Sequence, residues 1–534
     1  MKLHVLDWTI IILYLIGMIG LSIYLSRGQK NKDDYYLGGN DTGAWPIAIS
    51  TMATQCSTNS ILGAPAFVAF SIGGGMLWLQ YELAVPFAMI FLMIFLLPLY
   101  RRLGIISVYA YLEQRFDKRT RLVLSLLFQF IRAFATGVTV YGISIVIAYC
   151  TGISFTLAVV MLGVITIIYD SIGGMKAVII SDVIQMVVLY GAIIMTIIIA
   201  INLTGGWSET INAFDHTRLT ALNLKTHGFD GNSFSFLAMF IGGFFLYVSY
   251  YGCDQSQVQR ELSTKSIDDT NKALFLNGVL RFPLVLTYCF LGVCIGAFVS
   301  KHPDFINFLP IENGKPNYNL SVPVFVLKYF PIGAVGLVMV GLFSAAMSSL
   351  DSTINSLSAT SMQDIFKSFL DKSFSEKQEL YLSKVLTIFW GTVCTVFAFF
   401  VGDIADSIIV SMNKIGSLAN GPILGVFLLG ILTKRANGVG AISGLILGFI
   451  VNAIFWIYIP NVTWPWWNMI GCVVCFCTGM LLSYATRPVE QSIVGLTYSS
   501  FKTESKELFE IDWRKYYLIL ALWGIVIFLF CYNL

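Results

Sequence analysis

Charge is what this chain has least of. Only 12% of its 534 residues are Asp, Glu, Lys or Arg, against 57% hydrophobic. No hydrophilic stretch is long enough to fold as a soluble domain, which excludes an ordinary water-soluble protein. Histidine is scarce as well: His4, His216, His227 and His302 all fall outside the apolar runs and suggest no metal or catalytic cluster. No nucleophile–base constellation appears, so an enzyme is not expected. A net charge of +3 says little by itself; no nucleic-acid partner is expected, and nothing in the chain points to an obligate protein partner. Of the ten cysteines, Cys150, Cys289, Cys294, Cys394, Cys472, Cys475 and Cys477 lie inside apolar runs. They read as buried, unpaired packing residues. The close spacing of Cys472, Cys475 and Cys477 lacks the histidine or carboxylate neighbours of a metal site.

What the chain has in abundance is apolar runs of bilayer length. The expected fold is an all-α polytopic membrane protein with about fourteen spans: 5–25, 45–70, 78–100, 122–149, 153–170, 177–203, 234–252, 273–299, 331–361, 383–402, 407–432, 438–458, 464–486 and 515–533. The first run, Val5 to Ile23, has no small-residue cleavage pattern after it and reads as a retained helix. Lys and Arg cluster after the odd-numbered spans, as in Arg101, Arg102, Arg115, Lys118, Arg119 and Arg121, or Arg260, Lys265 and Lys272. The alternate loops hold only Arg218, Lys225, Lys301, Lys315 and Lys328. By the positive-inside rule both termini lie outside the cytoplasm, in a cell (inner or plasma) membrane.

Polar residues are concentrated in Gly341 to Ser361, GLFSAAMSSLDSTINSLSATS. At helical spacing Ala345, Ser348, Ser349, Ser352 and Asn355 share one stripe, with Asp351 beside it. Hydroxyls and a carboxylate form a hard-oxygen surface suited to Na⁺, and a tight helix contact glued by serines is the other reading. Asp351 favours the first, because a carboxylate in a bilayer costs about 2.5–3.5 kcal/mol and needs a partner or a role.

Two spans are interrupted. Span two carries Thr54, Gln55, Ser57, Thr58, Asn59 and Ser60 at membrane depth, and span seven ends in FFLYVSYYGCDQSQVQR, broken near Gly252 and Asp254. They hold matching places in two possible five-helix repeats, spans two to six and seven to eleven, the pattern of a transporter site at a repeat interface. This predicts one transmembrane transporter domain: residues 1–44 as a first helix and cytoplasmic loop, 45–203 and 234–432 as inverted repeats, and 438–534 as peripheral helices. A channel or a sensor built on a transporter body is the competing class. The short polar tail Gln491 to Tyr516 contains nothing that suggests an output module.

Glu82, Arg132, Asp182 and Arg281 also sit inside the spans, while Asp406 and Lys414 lie near an interface. Asp182 can cap its helix, or meet Asp351 around one or more cations. Arg132 needs a partner across helices or an anion; Glu82 is the structural candidate, and a solute carboxylate suits the guanidinium fork. Arg281 lines the same cavity or its rim.

The pieces DYYLGG (Asp34 to Gly39), ATQCSTNSILG, Tyr81–Glu82, IYDSIGGMKAVIISDVIQ (Ile168 to Gln185), YYGCDQSQVQRELSTKS (Tyr250 to Ser266), AAMSSLDSTINSLS and GPILGVFLLGILTKRAN (Gly421 to Asn437) together resemble the sodium/solute symporter family. That family includes sodium–glucose, iodide, multivitamin, monocarboxylate, proline and sialic acid cotransporters, and the resemblance covers about residues 1 to 480. It implies a leucine-transporter-like inverted-repeat core with Na⁺ as coupling ion, no organic cofactor, and a small-molecule solute carried across the lipid bilayer. The main sodium site would use the carbonyls of Ala53, Cys56 and Ala345 and the hydroxyls of Ser348 and Ser349. A second would use Asp182 with positions Asp351 and Ser352, where Asp351 replaces the expected Ser or Ala. For the solute it implies Thr54, Gln55, Ser57, Ser60 and Glu82. Tyr250 would be the inner cap, Tyr251 replaces a tryptophan, and Arg281 stands at a lysine position of sugar carriers. Arg132 matches the arginine that holds the substrate carboxylate in sialic acid carriers. An acidic solute such as sialic acid or another small carboxylate is therefore expected, with a neutral sugar or polyol as the alternative.

Overall fold

The computed structural model describes residues 3–56, 59–312, 314–401, 408–486, 493–504 and 508–534. Ser57, Thr58, Asp406, Arg487, Gln491 and Lys506 lie outside that set, as does the side chain of Asn59. The principal helices are α1 (Val5–Leu25), α2 (Ala44–Gln55), α3 (Ala64–Phe70), α4 (Val85–Phe95), α5 (Lys118–Thr151), α6 (Phe155–Thr204), α7 (Phe236–Cys253), α8 (Gln255–Glu261) and α9 (Ile267–Lys301). They continue with α10 (Ala334–Thr360), α11 (Glu376–Phe397), α12 (Ile408–Leu432), α13 (Gly438–Tyr458), α14 (Trp464–Ala485) and α15 (Arg514–Tyr532).

Among the described residues twelve helical segments are long and apolar enough to cross a membrane. The count differs from the expected fourteen in two places. The expected spans 153–170 and 177–203 run together in the 50-residue α6, divided by a kink at Gly174 (φ +59°, ψ −164°). Only glycine takes that backbone easily, and a Cβ there would strike Tyr35. The expected span 45–70 consists of the short helices α2 and α3, joined through one wide helical turn at Asn59–Gly63.

Helix starts follow local chemistry. Asp117 caps α5 by accepting from the Thr120 N–H (2.7 Å), Ser266 caps α9 from Asp269 (3.1 Å), and Ser375 closes a capping box with Gln378 at α11. Small residues set the close helix contacts: Cβ atoms on Gly421, Gly440 and Gly444 would collide with backbone carbonyls of α14. The same logic brings α10, nearly all of it buried, against α6.

Several cations read as loop charges are interior instead. Arg115 is fully buried and donates to the carbonyls of Gly430 (2.8 Å), Thr433 (2.7 Å) and Ala436 (3.1 Å), satisfying the otherwise open end of α12. Arg101 does the same for Leu262 and Thr264. The polar run after span seven is the helix α8, in which every residue is buried, Arg260 included. All ten cysteines are unbridged; Cys477, expected to be buried, is exposed on the outer side of α14, where lipid rather than protein would meet it.

Candidate functional site

Both helix breaks fall where expected and face a common cavity of about 240 Å³. α2 stops at Gln55, with Cys56 leaving helical geometry (φ −77°, ψ 63°), so the carbonyls of its last turn lack intrahelical donors. α7 stops at Cys253; Asp254 (φ −91°, ψ 120°) turns the chain and caps α8. Thr54, Gln55, Ser60, Glu82, Arg132, Tyr250 and Arg281 line the cavity, together with Ser349 of the serine stripe. Trp78, Tyr81, Tyr247, Tyr288, Thr136, Thr353 and Asn420 also line it and were not anticipated. They come from elements that periodicity alone does not bring together. Tyr251 is a correction: it is fully buried beside the cavity, and its hydroxyl reaches toward Asn277 at 3.5 Å. Of these two tyrosines only Tyr250 lines the cavity.

The two cavity arginines pair with different acids, and Arg132 does not take the partner the sequence suggested. Arg132 forms its ion pair with Asp254 (Nε to Oδ2, 3.0 Å), not with Glu82. It also donates from Nη2 to Ser256 Oγ (2.8 Å) and lies 5.0 Å from the Tyr250 ring centroid. Glu82 is taken by Arg281 (Nε to Oε2, 3.1 Å) and by the Tyr247 hydroxyl (2.8 Å). Arg281 Nη1 and both amide atoms of Gln55 are buried without a hydrogen-bond partner among the described residues, so they are open to a solute.

Behind the cavity the serine stripe meets the broken span. Ser349 Oγ lies 3.3 Å from the carbonyls of both Thr54 and Ala345, and Ser352 Oγ lies 3.2 Å from Thr54 Oγ1. Ala53, Cys56 and Ala345 are buried at this contact. Ser348 donates to Asp182 Oδ1 (2.5 Å) and Ser50 to Asp182 Oδ2 (2.5 Å). The hydroxyls bonded to Asp182 are thus those of Ser50 and Ser348. Arg260 Nη2 approaches Asp182 at 3.3 Å and also bonds Ser352 Oγ. Asp351 accepts from the Tyr169 hydroxyl and from the Ser352 N–H (2.5 Å) and hydroxyl (3.0 Å), and no basic side chain pairs with it among the described residues. Asp170, next to Tyr169, is fully buried with Oδ1 held by Asn355 (3.3 Å) and Oδ2 without a partner. Arg260, Asp170 and Tyr169 escaped the sequence reading. Arg260 looked like a loop cation, and the IYDSIGG run resembled a helix end.

Two broken helices around a polar cavity, backed by a wall of hydroxyls and carboxylates, define an alternating-access carrier of a small polar solute. The sodium:solute symporter family model matches residues 35–448. The human sodium-coupled monocarboxylate transporter 1 is 30% identical over 83% of this chain and 71% of its own length. The sodium/sialic acid symporter SiaT of Proteus mirabilis is 28% identical over 92% of this chain and 98% of its own. A solved substrate-bound, outward-open Na⁺-coupled sialic acid symporter superposes with a TM-score of 0.82 at 26% identity, covering 92% of this chain and all of that one. The chain belongs to the sodium:solute symporter family. It is a multi-pass membrane transporter driven by sodium, not an enzyme.

Proposed function

We propose that the chain imports a small organic acid, sialic acid or another small carboxylate, together with Na⁺. The observation that carries this is the pair of guanidinium groups on one cavity of about 240 Å³, with Arg132 at its wall and Arg281 presenting an unpartnered Nη1. Two forked donors suit a carboxylate better than hydroxyls alone would require. The solutes of the sialic acid and monocarboxylate relatives point the same way. Gln55, Ser60, Thr54, Glu82, Tyr250 and Arg281 would contact the remainder of the solute.

The carbonyls of Ala53, Cys56 and Ala345 with the hydroxyls of Ser348 and Ser349 would take the coupling Na⁺, supported by the 3.3 Å approach of Ser349 to the end of α2. Asp182, Asp351 and Ser352 would serve a second cation after a change of side-chain partners. Sodium there holds α2 against α10 and favours the solute-competent state, which is all that coupling requires. The repeats would run over 45–203 and 234–432, with both termini outside the cytoplasm on the strength of the loop charges. No obligate protein partner is needed for this cycle.

A neutral sugar or polyol is the second reading, favoured by Gln55, whose amide is free, and by the neutralisation of both arginines by acids. The deciding experiment is uptake of labelled sialic acid into proteoliposomes under an inward Na⁺ gradient, with K⁺ as control and sugars, polyols and short carboxylates as competitors. Na⁺-dependent accumulation, displaced by carboxylates and not by polyols, is the expected result. Competition by polyols alone would give the site to a neutral solute.

A further inference from the structure

The contacts of Arg132 have a geometry that a simple ligand-binding arginine does not need. The guanidinium, projecting from α5, touches three residues that straddle the α7–α8 break: Tyr250 before it, Asp254 at it and Ser256 after it. One side chain from another helix thus holds both halves of a broken helix. We propose that Asp254 occupies Arg132 in place of a solute carboxylate, so that the Arg132–Asp254 pair is a latch on the α7–α8 break that an anionic solute opens by competition. The identity of the competing solute rests on the function proposed above; the latch itself does not.

Three features support exchange. First, the pair is reachable: the Arg132 and Asp254 side chains are 19% and 16% exposed and both line the cavity, whereas Arg260 and Asp182 are sealed at 0% each. Second, Asp254 has somewhere to stay once Arg132 leaves. Its other oxygen, Oδ1, accepts from the Ser256 N–H (2.8 Å) and hydroxyl (2.5 Å), a capping bond that does not depend on the arginine. Third, replacing one carboxylate by another at the same guanidinium conserves the type of bond, so the exchange lies near balance and a solute can tip it. A neutral solute offers no such exchange. The latch therefore selects for anions, and it also couples anion occupancy to the break beneath Tyr250.

Cys253 is a native reporter, since it is buried, lines the cavity and immediately precedes Asp254. Its alkylation by N-ethylmaleimide, followed by mass spectrometry of the full-length protein in Na⁺-containing proteoliposomes, reads the latch directly. Asp254→Asn preserves a capping side chain while removing the charge, and Arg132→Gln removes the other partner; both are compared as monodisperse preparations. Solute-free Asp254→Asn and Arg132→Gln are each expected to label Cys253 about tenfold faster than the parent, and sialic acid, but not its methyl ester, to speed the parent alone. Faster labelling of both variants, with no response of the parent to sialic acid, keeps the latch and removes the solute assignment. Unchanged labelling in both variants overturns the latch, even if uptake of carboxylates still needs Arg132.

Discussion

The cavity and the wall behind it use the same residue types to opposite effect. In the cavity two arginines meet two acids, Arg132 with Asp254 and Arg281 with Glu82, in contact with a space of about 240 Å³. In the wall between α6 and α10 lie three fully buried carboxylates, Asp170, Asp182 and Asp351, and among the described residues Arg260 forms an ion pair with Asp182 alone. Buried pairs roughly break even against desolvation, so the balanced cavity gains selectivity rather than stability from its charges. The wall holds more carboxylates than cationic side chains among the described residues, which is what the proposed sodium site would draw on. The difference separates a balanced cluster facing the cavity from a sealed, acid-rich one behind it, with Thr54 and Ser349 on the border of both.

The sharpest way to break this contrast is to remove the guanidinium of Arg260 from the wall. Arg260→Ala leaves Asp182 with the Ser50 and Ser348 hydroxyls, and removes the bonds from the guanidinium to Ser50, Ser352 and the Ser256 carbonyl. Uncovering a buried charge of this kind costs about 3–5 kcal/mol. A large fall in thermal stability and loss of Na⁺-driven uptake are expected, both partly restored by Arg260→Lys. Parental stability and uptake in Arg260→Ala would show that the wall is already balanced without it.

Asp351→Asn is a smaller perturbation with a more specific outcome. The amide keeps the volume and removes one of the three carboxylates, while the Tyr169 hydroxyl retains an acceptor. If the wall is a cation site, the sodium concentration for half-maximal uptake rises about tenfold, equivalent to ~1.4 kcal/mol, with the solute KM at saturating sodium nearly unchanged. A variant with the parental sodium dependence would make Asp351 a structural partner of Tyr169. Titrating sodium at fixed solute, then solute at fixed sodium, separates the two.

Most of this layout was visible in the residue order, and the gaps have a physical cause. The serine stripe of α10 is set by helical spacing, and the breaks at Gln55 and Asp254 by polar residues interrupting apolar runs, so local pattern suffices for both. The partners of Arg132 and Glu82 depend on which helices cross, information that a local pattern does not contain. Arg260 was hidden for another reason: QSQVQRE is polar enough to pass for a loop, yet it folds as α8 with every side chain buried. Buried polar helices defeat hydropathy because their hydrogen bonds, such as Gln259 to the Tyr36 carbonyl (2.8 Å) and to Asn355 (2.9 Å), are made with distant segments. The run of α6 through two expected spans was missed similarly, since Gly173–Gly174 signals a stop and the chain uses it as a kink.

The mildest test stays within the cavity and asks whether its second pair recognises solute at all. Arg281 uses Nε for Glu82 and leaves Nη1 open, so Arg281→Lys retains a cation for Glu82 while giving up the planar fork. Because Glu82 keeps the Tyr247 hydroxyl as well, the local fold should hold, and thermal stability should move by less than about 1 kcal/mol. The expected result is a rise of roughly three- to tenfold in the KM for a carboxylate solute, the loss of one charge-assisted hydrogen bond, with the half-saturating sodium concentration unchanged. A change in sodium dependence of similar size would mean that the cavity and the wall share their charges through Thr54 and Ser349. An unchanged KM would leave Arg132 as the arginine that meets the solute and assign Arg281 to holding Glu82 in place.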